Sequence, residues 1–459
     1  MSELSILRPE IVLTLSMLCI FLAGLAIRSK VVLGLMTIAA AGVTAYLVPS
    51  VSGSGFDGMF IADAYGTFFK LLFMLTLILG AMLGIGAPVI RERHASEYFC
   101  LLMLASVGMM CMASAGDMIV LYIGLELMSL SVYVLTGFHR ENLFSNEAAM
   151  KYLLLGTFAT AILLFGTAIV YMLTGSTNIA AIAAHMTAGG NGGSPLLMLA
   201  VLSIVVAFGF KVAAVPFHMW APDAYHGAPT PVTAFMSVGP KAAAFAAFGR
   251  VLVDGFGPAL AVWTPAITVL VVLTVAGGNL LALRQDNVKR MLAYSSVAHA
   301  GYMMLGMLAG TRVGMNAVMT YLAVYAFMNM GVFAVMLMLE NGEERSAYAG
   351  LAKRQPLLAI AMLIFLFSLT GIPPAAGFVG KFQVFLAAVG AGHTALVVVA
   401  VIFSVVSAYY YLRLVGTMFM SEGDESVACS TSGALILTVA ITVAFVLLLG
   451  IVPSLVLFG

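Results

Sequence analysis

FGFKVAAVPFHMWAPDAYHGAPTPVTAFMSVGPKAAAF, residues 208–245, sets two lysines, Lys211 and Lys241, inside runs apolar enough to cross a bilayer. A charge at the centre of a membrane helix costs about 2.5–3.5 kcal/mol even on the mildest insertion scale. Both lysines stand close to proline: Pro216 follows Lys211, and Pro240 immediately precedes Lys241. Proline removes a backbone donor and frees a carbonyl. Within a membrane that is tolerated where the freed group is buried in protein or faces water. The stretch therefore reads as interrupted membrane helices that carry ionisable groups, the way transporters build ion sites near the midplane.

The rest of the chain has the same character. Of 459 residues, 63% are hydrophobic and 8% charged, and the mean hydropathy is +1.11. A soluble chain carries about 25% charged residues, so too little polar surface exists here to cover a soluble fold. A net charge of +1 offers no footprint for nucleic acid. Cys19, Cys100, Cys111 and Cys429 are scattered, with no spacing that suggests a metal or cluster site. Neither a dinucleotide fingerprint nor a P-loop occurs. Glu3 and Glu10 precede the first apolar run, and no small-residue cleavage site follows it, so it reads as a retained helix.

Apolar runs of about 20 residues mark spanning helices. Fourteen are expected, making this an all-α polytopic membrane protein: 10–27, 31–50, 66–87, 98–114, 117–138, 147–173, 195–217, 229–253, 258–283, 289–310, 313–340, 355–391, 393–418 and 431–457. The twelfth is too long for one straight pass, and its middle reads Gly371-Ile372-Pro373-Pro374, so it is taken as one broken helix. Loops after odd-numbered spans hold thirteen Lys and Arg residues, among them Arg28, Arg91, Arg140, Lys289 and Arg354. The other side has three, Arg8, Arg250 and Arg312, with Lys70 assigned to the start of the third span. Basic loops stay cytoplasmic, so both termini are expected on the opposite side.

Two further charges join Lys211 and Lys241. Glu126 lies midway along the fifth span, with Tyr122 and Ser129 one turn away on the same face, and Lys381 follows the Gly-Ile-Pro-Pro break. The four amount to roughly 10 kcal/mol if their costs add. Neutral polar groups recur at helical spacing: Ser295, Ser296, His299 and Tyr302; Tyr321, Tyr325 and Asn329; Ser404, Ser407 and Tyr411. Alone, each stripe is most often glue between helices, and a buried Lys often just pairs with a Glu. Glu126 can neutralise one lysine, most readily Lys211, but not three. Burial lowers a lysine's proton affinity and a nearby carboxylate restores it, so the set reads as proton-handling. Lys211 and Lys381 lie on interrupted spans five apart, an odd offset that implies inverted-topology repeats. The expected divisions are 1–97 (spans 1–3), 98–255 (repeat 1), 256–420 (repeat 2) and 421–459 (span 14).

GLELMSLSVYVLTGF (124–138), SNEAAMKYLLLGTFATAILLFGTAIVYMLTG (145–175), the 208–245 stretch, NVKRMLAYSSVAHAGY (287–302) and SLTGIPPAAGFVGKF (368–382) carry a family resemblance. Together they resemble the N-type subunit of proton-pumping NADH:quinone oxidoreductase, respiratory complex I, over nearly the whole chain. Lysine rather than glutamate in the twelfth span argues against the M type. The lack of length for a C-terminal lateral helix argues against the L type.

The resemblance implies that Glu126 and Lys211 form a switching pair, Lys241 is the central carrier, His299 lies on the connecting axis and Lys381 ends the second half-channel. It also implies a multi-pass protein of the bacterial cytoplasmic membrane, set among neighbouring antiporter-like and small membrane subunits. No cofactor is expected in this chain; FMN, iron–sulfur clusters, NADH and quinone would be handled by other subunits of the respiratory, electron-transporting enzyme. Two rivals share much of the pattern: a cation/proton antiporter subunit without a redox arm, and a membrane subunit of a ferredoxin- or hydrogenase-linked complex.

Overall fold

The computed structural model describes residues 3–189, 194–422 and 429–455. Helices α1 Arg8–Ala26, α2 Lys30–Leu47 and α3 Ala64–Gly86 open the chain. A short antiparallel hairpin, β1 Gly53–Gly55 with β2 Phe60–Ala62, joins the last two. Then come α4 Ala95–Ser114, α5 Met118–Thr136, α6 Leu143–Thr174, the short α7 Ile179–Thr187 and α8 Pro195–Lys211. Next are α9 Trp220–Gly227 and α10 Thr230–Gly249, which runs on as a π-helical turn, Arg250–Gly255. The remainder comprises α11 Leu260–Ala282, α12 Val288–Met307, α13 Arg312–Met338, the single turn α14 Leu351–Arg354, α15 Pro356–Thr370, α16 Ala376–Gly390, α17 Thr394–Met420 and α18 Gly433–Ile451.

Among the described residues, eleven helices are long and apolar enough to cross a membrane, so the chain is a multi-pass membrane protein. Three expected spans depart from that standard. The 195–217 segment is helical only to Lys211 and then turns. The 289–310 segment forms α12, long enough but studded with polar side chains. The 355–391 segment splits into α15 and α16 at Gly371–Ala375, as the Gly-Ile-Pro-Pro motif implies. Residues 456–457 of the last span lie outside the described residues.

Side chains at the helix starts satisfy donors that the helices leave open. Asp63 caps α3 by accepting from Gly66 N, Asp117 caps α5, Asn287 caps α12 and Thr311 caps α13. Every residue of α10 is buried, and nearly all of α13, so these two form the centre of the bundle. α1, α17 and α18 leave broad apolar faces outward. α4 and α5 meet closely because a Cβ on Gly108 would lie 2.5 Å from Met128 N; small residues allow such close approach.

Three basic residues assigned to loops or helix ends prove to be buried. Lys70 is 3% exposed, in the second turn of α3, and pairs with Glu10 of α1 at 2.7 Å. Arg250 donates to Ala113 O and forks onto both Asp63 oxygens at 2.6 and 3.1 Å. Lys289 lies under the first turn of α12, where it meets Glu343 at 2.8 Å. Each is tolerated because an acidic partner from a distant helix or loop accompanies it, a relation that hydropathy along the chain does not register.

Candidate functional site

Lys211 is the last residue of α8. Its Nζ donates to Ser129 Oγ (2.8 Å) and Tyr133 OH (3.4 Å), both on α5. The interruption behind it is anchored rather than loose. Trp220 Nε1 donates to the Phe210 carbonyl at 2.8 Å, which Ala213 N also reaches, and Val215 N donates to Thr274 Oγ1 at 2.9 Å. Glu126 is half-buried on α5, within electrostatic reach of Lys211. The lysine's direct partners are nevertheless hydroxyls, and among the described residues Glu126 Oε1 is buried with no hydrogen-bond partner. Tyr122 is half-buried and takes no part in this cluster.

Lys241 sits at the middle of α10, one residue after Pro240. Its Nζ donates to Ser296 O at 2.6 Å and to Ser296 Oγ. The Tyr325 ring lies 5.9 Å from the same nitrogen. One turn earlier Asn329 of α13 donates to Ser237. Beyond Lys241 the helix reads Ala242-Ala243-Ala244-Phe245-Ala246-Ala247-Phe248, all fully buried and without a polar side chain. The helix thus carries polar side chains before Lys241 and none from Ala242 to Phe248, where Tyr65 OH of α3 donates to Ala246 O at 2.9 Å.

His299 of α12 bonds through Nδ1 to Tyr321 OH (2.7 Å) and through Nε2 to Tyr411 OH (3.3 Å). Tyr411 OH also bonds Ser295, the neighbour of Ser296. His299 lies within electrostatic reach of both Lys241 and Lys381. Lys381, in the second turn of α16, donates to Thr370 O (2.7 Å) and Ser404 Oγ (2.8 Å), and its Nζ lies 4.9 Å from the Tyr302 ring. The stripes on α12, α13 and α17 therefore converge: Tyr321 and Tyr411 hold His299, Ser404 holds Lys381 and Ser296 holds Lys241.

Two features escaped the sequence. A cavity of about 810 Å³ opens at the basic end of the bundle, lined among others by His139, Glu147, Lys151, Asp223, His226, Lys289 and Glu343. Asp223 joins Lys151 and Arg290 there, each at 3.0 Å. The density of charged residues between 139 and 151 and between 285 and 290 is the signal that marks it. At the other end, burial alone would lift the Asp63 carboxyl, but the hydrogen bonds and charge of Arg250, with the Gly66 N–H and the Arg312 charge, together hold it below the usual carboxylate range.

Interrupted membrane helices with buried lysines, each bonded to neutral oxygens of a neighbouring element, define an antiporter-like membrane subunit. The family described as "NADH:quinone oxidoreductase/Mrp antiporter, TM" matches residues 115–407. NADH-quinone oxidoreductase subunit N of Trichlorobacter lovleyi is 42% identical, over 99% of this chain and 96% of that protein. A chain of respiratory complex I from Thermus thermophilus with bound aureothin is 34% identical, with a TM-score of 0.84 over 98% of both chains. A chain of the Mrp complex from Dietzia sp. superposes as well, with a TM-score of 0.85 over 100% of this chain and 96% of that one, but is 23% identical and speaks for the fold alone. This chain belongs to the N subunits of NADH-quinone oxidoreductase.

Proposed function

We propose that this chain is a membrane-arm subunit that carries protons across the bacterial cytoplasmic membrane, driven by electron transfer from NADH to quinone in other subunits. The carrying observation is the polar axis through the bundle. From Lys241 it runs to Ser296, then through neighbouring Ser295 to Tyr411 and His299. Lys381 stands beyond, on the Tyr302 ring. Lysines load and release protons, and hydroxyls and imidazole hand them on. Glu126, Lys211, Lys241, His299 and Lys381 are assigned to proton transfer. This chain holds no cofactor in this reading: flavin, iron–sulfur clusters, NADH and quinone belong to partner subunits.

Fourteen crossings follow if the α8 segment, α12 and the α15–α16 pair are added to the eleven long helices. Residues 98–255 and 256–420 then form inverted repeats. Their packing supports this: α4 lies on α5 as α11 lies on α12, and α6 lies on α8 as α13 lies on α15 and α16. The basic end faces the cytoplasm and the termini face away from it.

The test uses the whole enzyme in sealed vesicles. Lys241→Ala and Glu126→Ala are expected to lower NADH-driven proton uptake at least about tenfold. Undiminished uptake in both would sink the proton-carrying reading.

A further inference from the structure

One carboxylate oxygen gathers three elements at the basic end. Glu343 Oε1 accepts from Lys289 Nζ and from Thr230 Oγ1, each at 2.8 Å. The Lys289 ammonium, 2% exposed, also donates to Ala228 O at 2.6 Å. Val288 N donates to Glu343 O at 2.8 Å. The turn after α13 is thereby fastened to the first residues of α10, which carries Lys241, and of α12, which carries Ser296 and His299.

The turn is stiff. Asn341 has a φ of +55°. A Cβ on Gly342 would collide with Met336 O, and Tyr348 OH donates to Gly342 O at 2.8 Å. Glu343, Lys289 and Thr230 all line the basic-end cavity. From Thr230 the polar positions Thr233, Ser237 and Lys241 follow at helical spacing. Eleven residues of α10, about 16 Å, separate the cavity floor from Lys241.

A buried ammonium at the head of this polar face repels an arriving proton unless an anion cancels it. Among the ion pairs of the described residues Lys289 meets only Glu343, and Asp223, another carboxylate of the cavity, is already engaged by Lys151 and Arg290. We infer that Glu343 is a positioning residue of the proton intake: it neutralises Lys289 and holds Thr230 at the mouth of the α10 polar face. This rests on the proton-carrying reading above.

The experiment measures protons taken up per NADH oxidised by the whole enzyme in vesicles, with the membrane content of the chain determined for each variant. Glu343→Gln is expected to lower the ratio about tenfold, and Glu343→Asp to retain most of it. Adding Lys289→Met to Glu343→Gln removes the uncancelled charge and is expected to bring the ratio back above about a third of native. A native ratio in Glu343→Gln overturns the inference, and so does a double variant as defective as the single one. Should Glu343→Gln fail to accumulate, the double variant decides by the same threshold. Lys241→Ala and Glu126→Ala, run alongside, separate the two readings. If both pump normally, proton carriage itself falls. If either is defective while Glu343→Gln is normal, only the clasp falls.

Discussion

A protonated lysine has three hydrogens to place, and the hydrogen-bond partners of Lys211, Lys241 and Lys381 are neutral oxygens, two for each. Lys211 takes Ser129 and Tyr133, Lys241 takes the carbonyl and hydroxyl of Ser296, and Lys381 takes Thr370 O and Ser404. A contacting carboxylate would pin the ammonium form, whereas a hydroxyl accepts from an ammonium and donates to a neutral amine. Lys70 is the contrast: its partner is a carboxylate, Glu10, at 2.7 Å. Lys211→Arg is expected to lower proton uptake at least about fivefold, because a guanidinium does not release its proton. Native uptake in that variant, measured in vesicles, would remove Lys211 from the relay. The lysines themselves were legible as misplaced charges. Their partners were legible only as polar stripes, because side chains 82 residues apart, such as Lys211 and Ser129, are brought together by tertiary packing.

At the scale of elements, the two interruptions do the positioning. Between α15 and α16 the chain turns through Gly371, at a φ of +91°. Gly377 then packs so tightly that a Cβ there would collide with Ser368 O. Gly377 N also donates to Ser368 Oγ at 2.9 Å. This closure leaves the Thr370 carbonyl free to receive Lys381. Gly377→Ala is expected to pry the halves apart and destabilise the chain by about 1–3 kcal/mol. A melting temperature of the detergent-solubilised enzyme equal to native would contradict that. Gly-Ile-Pro-Pro announced this interruption plainly. The one after Lys211 was less legible, since a single proline five residues on does not say that the helix stops at the lysine. The short α7 and the β1–β2 hairpin left no apolar run long enough to notice.

Over the whole molecule, the spans were readable because bilayer thickness imposes a length on every crossing. What ties their ends together was not. Arg250 joins Asp63 before α3 to Ala113 at the end of α4, and Glu10 of α1 pairs with Lys70 of α3; nothing local pairs residues so far apart in sequence. The Asp63 carboxyl is held below its usual value. Its contribution to stability is therefore full above the unfolded value of about 3.9 and is lost as pH falls through the lower folded value. Between about pH 5 and pH 3 the native chain is expected to lose melting temperature more steeply than Asp63→Asn; equal slopes would remove the clasp from the stability of that end. The all-apolar half of α10 beyond Lys241 has a consequence of another kind. Apolar packing is a low-dielectric layer, and an electric field is steepest across such a layer. A charge crossing it would meet most of the roughly 2.3 kcal/mol per 100 mV, whereas a hop from Lys241 to Ser296 or His299, which stand at a similar depth in α12, would meet little of it.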